Sequence, residues 1–140
     1  MRRSVLLAVL LAFALAAPAG AGGNGKKGAV HKITQSASYL MIDPFYTTIM
    51  DGDKIVGLLM IGIGLDVPNA ELRSKAESTM PVLRDVYVRS LLAYSATSVR
   101  PWRQPDVGEI AGRLQRVTDH TLGRQGARIL LAQVAMRLTK

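Results

Sequence analysis

The sequence predicts an α+β domain: an antiparallel or mixed sheet, built from a hairpin plus a C-terminal strand, with helices packed on one face. Three observations predict it. Two β-rich runs flank the turn signal Asp51-Gly52-Asp53. Segments with helical spacing follow, each opened by a capping or proline signal. The chain then closes on a run of period two. With 140 residues there is room for one ordinary domain. Hydrophobic content is 49% but only 5% is aromatic, so core filling falls to Leu, Val, Ile, Met and Ala.

The first segment reads MRRSVLLAVLLAFALAAPAGAGG. Arg2 and Arg3 precede an apolar stretch from Val5 to Ala17, followed by Pro18 and Ala19-Gly20-Ala21. These are the three parts of a secretory signal peptide, with cleavage before Gly22. The two arginines also hint at a twin-arginine signal. An uncleaved anchor facing the periplasm is the alternative. The apolar part spans roughly 20 Å as helix, against a hydrocarbon core of about 30 Å, which favours cleavage. The expected organisation is therefore a signal peptide over 1–21, a glycine-rich linker over 22–38 and the domain over 39–140, located in the periplasm.

Tyr39 to Met50 is rich in β-branched and aromatic residues, and Pro44 within it fits an edge or a bulge. After the turn comes KIVGLLMIGIGLD, eleven residues without a polar side chain between Lys54 and Asp66. It is too short to span a membrane as a helix. On a pleat, Ile55, Leu59, Ile61, Ile63 and Leu65 share one face, and Val56, Leu58 and Met60 the other. Both faces are apolar, so both are expected to be covered. The glycines suggest a bulge or a close approach by another element. Gly62-x-Gly64 is no dinucleotide loop, because Val67 stands where the third glycine belongs and no helix opens there.

Asn69 caps a helix with Glu71 in its first turn and a stripe of Ala70, Arg73, Ala76 and Met80. Pro81 opens a second helix, whose core face is Leu83, Val86, Tyr87, Ser90, Leu91 and Tyr94. Thr97 to Asp106 is a loop holding Trp102 between Arg100 and Arg103. The tryptophan reads as a lid on the core or, more sharply, as a partner-binding anchor. Asp106 and Glu109 form a D-x-x-E capping pattern. Ile110, Leu114, Val117, Thr121 and Leu122 make the buried stripe of that helix, and Gly123 ends it. In the closing run, Leu130, Ala132, Val134, Met136 and Leu138 alternate with Ile129, Leu131, Gln133, Ala135 and Arg137.

Chemistry is sparse. There is no cysteine, which removes disulfides, thiolate zinc sites and thiol nucleophiles. His31 and His120 have no carboxylate or second histidine at ligand spacing. Asp51-x-Asp53 lacks the rest of a calcium loop. Asp43, Asp85 and Asp119 are single acids with structural explanations. The expectation is no enzyme, no catalytic or metal residue and no cofactor. The net charge is +8, but the basic residues are scattered and not interleaved with aromatics, which excludes a nucleic-acid reading. The helix pair is expected to expose Arg73, Lys75, Arg84, Asp85 and Arg89, a mixed-charge face suited to contact with another copy. Arg84, Asp85, Arg89 and Trp102 are the candidate partner contacts.

Tyr39-Leu40-x-x-Asp43-Pro44-Phe45, a turn, and an apolar strand ending in Leu65-x-Val67 resemble the start of the periplasmic domain of the flagellar basal-body-associated FliL family. Met80-Pro81-Val82-Leu83-Arg84-Asp85 followed by Leu91-Leu92 is similar to that family's "proline, two residues, arginine-aspartate" helix. The spacing from Leu114 to Leu122-Gly123 and the strand Ile129 to Leu138 match in order. The resemblance spans Tyr39 to Leu138. It implies a domain similar to the stomatin/prohibitin type, a homo-oligomer around the stator or basal-body proteins, supporting motility without catalysis or cofactor and close to the inner-membrane surface. The alternative is a soluble basic periplasmic module held to anionic lipid or cell wall and unrelated to motility.

Overall fold

Each strand of the sheet is read out by the register of its neighbours around one central strand. The computed structural model describes residues 35–139. The signal-peptide reading, His31 and most of the linker lie outside those residues. β1 (Tyr39–Met41), β2 (Phe45–Asp51), β3 (Lys54–Asp66) and β4 (Arg128–Leu138) form one fully antiparallel sheet. α1 (Ala70–Ser78), α2 (Met80–Ser98) and α3 (Val107–Leu122) lie between β3 and β4 in the chain. The fold is α+β with an antiparallel sheet.

β3 is the axis. β1 and β2 follow one another along one side of it, and β4 runs along the other. The expected first strand is thus two strands, separated at Ile42-Asp43-Pro44. Proline has no N–H to donate to a ladder, so the break falls where the sequence placed a bulge or edge. The hairpin turn is two residues long, between the paired Asp51 and Lys54. Gly52 takes the left-handed conformation there (φ +59°), which an L side chain adopts only with strain.

The strict alternation expected along β3 and β4 fails at two bulges. Between Ile49 and Met50 the register against β3 shifts: Ile49 pairs with Gly57 but Met50 with Ile55, leaving Val56 as the extra residue. Ile55 therefore leaves the core face and is exposed. A second shift pairs Gly62 with Gln133 but Ile63 with Leu131, leaving Ala132 as the extra residue. Ile129 and Leu131 thereby join Val134 and Met136 on one face, opposite Leu65, Ile63, Ile61 and Leu59. The predicted grouping of Leu130 and Ala132 with Val134 is corrected accordingly.

That face carries the core. Leu59, Ile61, Ile63 and Leu65 pack under Leu83, Tyr87, Leu91 and Tyr94 of α2 and Ile110, Leu114 and Leu122 of α3. In α1 the buried residues are Leu72 and Ala76. Of the expected stripe, Ala76 is buried and Met80 packs against the core, while Leu72 takes the place of Ala70 and Arg73. Asn69 caps α1, its Oδ1 accepting the Leu72 N–H at 2.8 Å. Pro81 sits in the first turn of α2, so a new helix starts there as the sequence predicts. Asp106 caps α3 by accepting the Glu109 N–H at 3.0 Å. Glu109 does not reach back to close a capping box; its Oε1 accepts from Arg113 instead. Gly123 ends α3 in the left-handed conformation.

Buried hydroxyls fall into two cases. Tyr87 Oη and Thr118 Oγ1 lie 2.7 Å apart, and Thr118 also donates to the Leu114 carbonyl at 2.7 Å. Thr47, on the core face opposite Leu59, is buried, and its Oγ1 has no hydrogen-bond partner among the described residues. An orphaned hydroxyl carries a desolvation cost without a bond in return. Thr47→Val keeps the shape and the β-branching, and is expected to raise stability by about 1 kcal/mol, read as a higher urea midpoint at unchanged slope. A lower midpoint would mean that the hydroxyl is satisfied.

Candidate interaction surface

The helices cover one face of the sheet only. On the other face Tyr46, Leu58 and Met60 line a shallow groove of about 240 Å³ with Ala135 and Arg137. Tyr46 and Leu58 are exposed by 63% and 46%. The expectation that both faces of β3 are covered is therefore overturned within the described residues. Towards β1 the same face is closed by an aromatic ring. Tyr39 lies directly against Gly64, where a Cβ would collide with the phenol ring. This is the close approach that the β3 glycines suggested.

The four candidate contact residues occupy two separate places. Arg84, Asp85 and Arg89 lie in the first half of α2. Arg84 donates to Asp43 Oδ2 at 3.4 Å and sits 5.3 Å from the centre of the Phe45 ring. Phe45 in turn meets Tyr87 edge to face, with centroids 6.1 Å apart. Asp85 and Arg89 form an i, i+4 ion pair on the exposed side. These charges are thus engaged within the chain. The segments Asp43-Pro44-Phe45 and Arg84-Asp85, forty residues apart in sequence, meet in this cluster. On the remainder of the predicted charged face, Arg73 donates to the Val67 carbonyl and Lys75 to the Leu122 carbonyl, both serving element ends.

Trp102 is elsewhere. About 14 Å of helix rise separate Arg89 from the end of α2, beyond which the loop begins. Arg103 N–H donates to the Arg100 carbonyl at 3.1 Å, closing a tight turn with Pro101 and Trp102 at its centre. Proline fixes its own φ, so the turn is stiff. Trp102 is 74% exposed, which overturns the reading of it as a core lid. It lines an open hollow with Met136 and Leu138 of β4, and Leu138 is itself 47% exposed. A tyrosine anchors the other end of this loop: Asp106 N–H donates to Tyr94 Oη at 3.0 Å. Burial pushes the Tyr94 phenol above its ordinary pKa, with smaller effects from neighbouring charges.

A polar hollow of about 520 Å³ lies between the end of α2 and the start of α3, with Arg100, Arg103, Asp106 and Glu109 on its walls. Glu109 is paired with Arg113, whose guanidinium lies 5.6 Å from the Tyr94 ring. His120 is exposed, as its helical position predicts. Among the described residues no three of His, Cys, Asp or Glu are grouped to hold a metal ion, and no helix is long and apolar enough to cross a membrane. Sequence reasoning missed the open sheet face and the free side of β4. Both depend on which face the helices choose, and an apolar two-sided strand carries no signal for that choice. No protein-family model matches the chain, and no curated protein matches it.

Proposed function

We propose that this protein is a non-enzymatic envelope protein that acts by self-association and by contact with a membrane-bound partner, in the manner of the flagellar basal-body-associated FliL family. The motor stator or basal body is the partner that the resemblance suggests. The observation that carries the contact role is Trp102, held out on a proline turn beside Met136 and Leu138. An exposed tryptophan carried on a proline-stiffened turn next to apolar surface is the chemistry of a protein contact, because its backbone is already ordered before binding. Supporting the family reading, the Asp-Pro-Phe segment and the Arg-Asp helix meet through Arg84, Asp43 and Phe45. Export to the periplasm by a cleaved signal is part of the same proposal.

A second reading has its own observation. Residues 35–139 carry twelve Lys and Arg against ten Asp and Glu, a surplus of two. Five further basic residues, Arg2, Arg3, Lys26, Lys27 and Lys32, fall within residues 1–34, which hold no acid. A binder of anionic lipid or cell wall would use the linker lysines more than the folded domain.

Trp102→Ala decides between them. The exposed ring contributes little to folding, so stability should change by less than about 0.5 kcal/mol. In a deletion strain, the variant is expected to leave swimming as impaired as the deletion does, while wild type restores it. Normal swimming of the deletion strain, together with release of the protein from envelopes by salt, would replace the motor reading with the surface binder.

A further inference from the structure

β4 has a strand on one side only; on its outer side Ile129 N–H is taken by Gln115 Oε1 of α3 at 2.9 Å, and the free stretch begins beyond the Ala132 bulge. Among the described residues its sole strand partner is β3. Natural edge strands are usually kept short or guarded by charge or proline, because their free backbone groups template another strand. β4 is eleven residues long, and from Ile129 to Met136 it carries neither charge nor proline. Its ladder fixes which groups are free. Thr139 N–H donates to the Val56 carbonyl at 2.9 Å. Alternation then turns the backbone groups of Arg137, Ala135 and Gln133 toward β3, and those of Leu138, Met136 and Val134 toward the open edge.

We propose that this edge pairs antiparallel with β4 of a second copy across a two-fold axis at Ala135. The inference rests on the self-association reading and assigns its interface. Around that axis Val134 faces Met136 of the second copy, and each such pair exchanges two backbone hydrogen bonds through the groups just named. Gln133 faces Arg137 of the second copy on the open sheet face, where the amide oxygen accepts from the guanidinium. Ala135 meets its own copy at the axis, where a small side chain allows close approach. Parallel pairing in register would set Arg137 beside Arg137; the antiparallel arrangement keeps the two about 13 Å apart along the strand.

Two further features suit this occupant. Ala132 is bulged and exposed, so regular pairing stops there and the register cannot slide toward Arg128. Trp102 lies beside Met136 and Leu138 on the helix side. In the pairing, Val134 of the second copy arrives opposite Met136 on that side and covers the indole. Two-fold symmetry makes every such contact twice.

The absence of cysteine makes the test direct. Ala135 and its symmetry mate form a non-hydrogen-bonded pair, with Cα atoms about 4.5 Å apart, inside the range that a disulfide spans. Full-length Ala135→Cys, oxidised in cells with copper phenanthroline, is expected to run mostly as a disulfide dimer. Gln133→Cys and Arg137→Cys, coexpressed, should crosslink to each other and neither to itself. If the three positions stay monomeric while Arg84→Cys or Arg89→Cys yields multimers, the chain self-associates through α2 and the β4 interface is overturned. If no position crosslinks and sedimentation finds a monomer, the self-association reading falls with it.

Discussion

Truncating Leu59 or Ile61 to alanine is expected to cost about 3–4 kcal/mol, enough to leave an ordinary domain of this size close to unfolding. Both side chains are fully buried on the central strand. Each is paired across to β4, Leu59 with Met136 and Ile61 with Val134, and roofed by α2 and α3. The cost combines lost transfer energy with a cavity that a sheet bonded on both sides cannot collapse to fill. Val134 and Met136 pack against the same core but stay partly open to solvent. Their truncation is expected to cost nearer 1–2 kcal/mol in the isolated chain. Urea unfolding of the four variants measures the difference. Losses under about 0.5 kcal/mol at both Leu59 and Ile61 would mean that β3 is not the packed centre of the sheet.

The second large effect is alkaline. Desolvation is the main cause that raises the Tyr87 phenol from 10.0 to about 12; the Thr118 hydrogen bond lowers it and the Asp119 carboxylate adds to the rise. Unfolded, the phenol loses its proton near its ordinary pKa of about 10. Folded, it keeps that proton until about pH 12. Below the lower value both states hold the proton, and Tyr87 contributes no pH dependence. Between the two the unfolded state gains by ionising, so stability falls as pH rises, by roughly 2–3 kcal/mol across the window. Tyr94 is shifted in the same direction and adds to the slope. Tyr87→Phe should flatten the Tyr87 part of this loss, at a cost of about 1 kcal/mol near neutral pH for the bond to Thr118. Equal alkaline slopes in wild type and Tyr87→Phe would show that the phenol is hydrated in the folded state.

Much of the fold was legible because its signals are local. Asn69, Pro81, Asp106 and Gly123 mark helix ends through caps and backbone geometry within one turn of themselves. Gly52 marks the hairpin turn in the same way. Leu83, Tyr87, Leu91 and Tyr94 announce their buried face by spacing alone. Errors entered where one residue of slippage reverses a pattern. The bulges at Val56 and Ala132 each swap the faces beyond them, so Ile55 is exposed where burial was expected, and Ile129 and Leu131 fall in with the core. Leu72 and Thr118 were missed because a helical stripe has a choice between adjacent positions at each turn: Ala76, Ile110, Leu114 and Leu122 fell on the buried side as expected, but Arg73 and Val117 were chosen over Leu72 and Thr118.

The candidate surface divides along the same line. Arg84, Asp85, Arg89 and Trp102 could be named from residue type, but only packing showed that the first three are engaged within the chain while the indole stands free. By itself the sequence determined the α+β class, the order of elements, their boundaries at caps and turns, and the hydrophobic inventory of the core. Each of those follows from propensity, periodicity and backbone sterics acting over a few residues. The tertiary structure decided which face of β3 the helices cover, which side of β4 stays open and whether Trp102 is buried. Those outcomes depend on the competition of distant elements for one apolar surface, and a strand greasy on both faces leaves that competition undecided until the chain has folded.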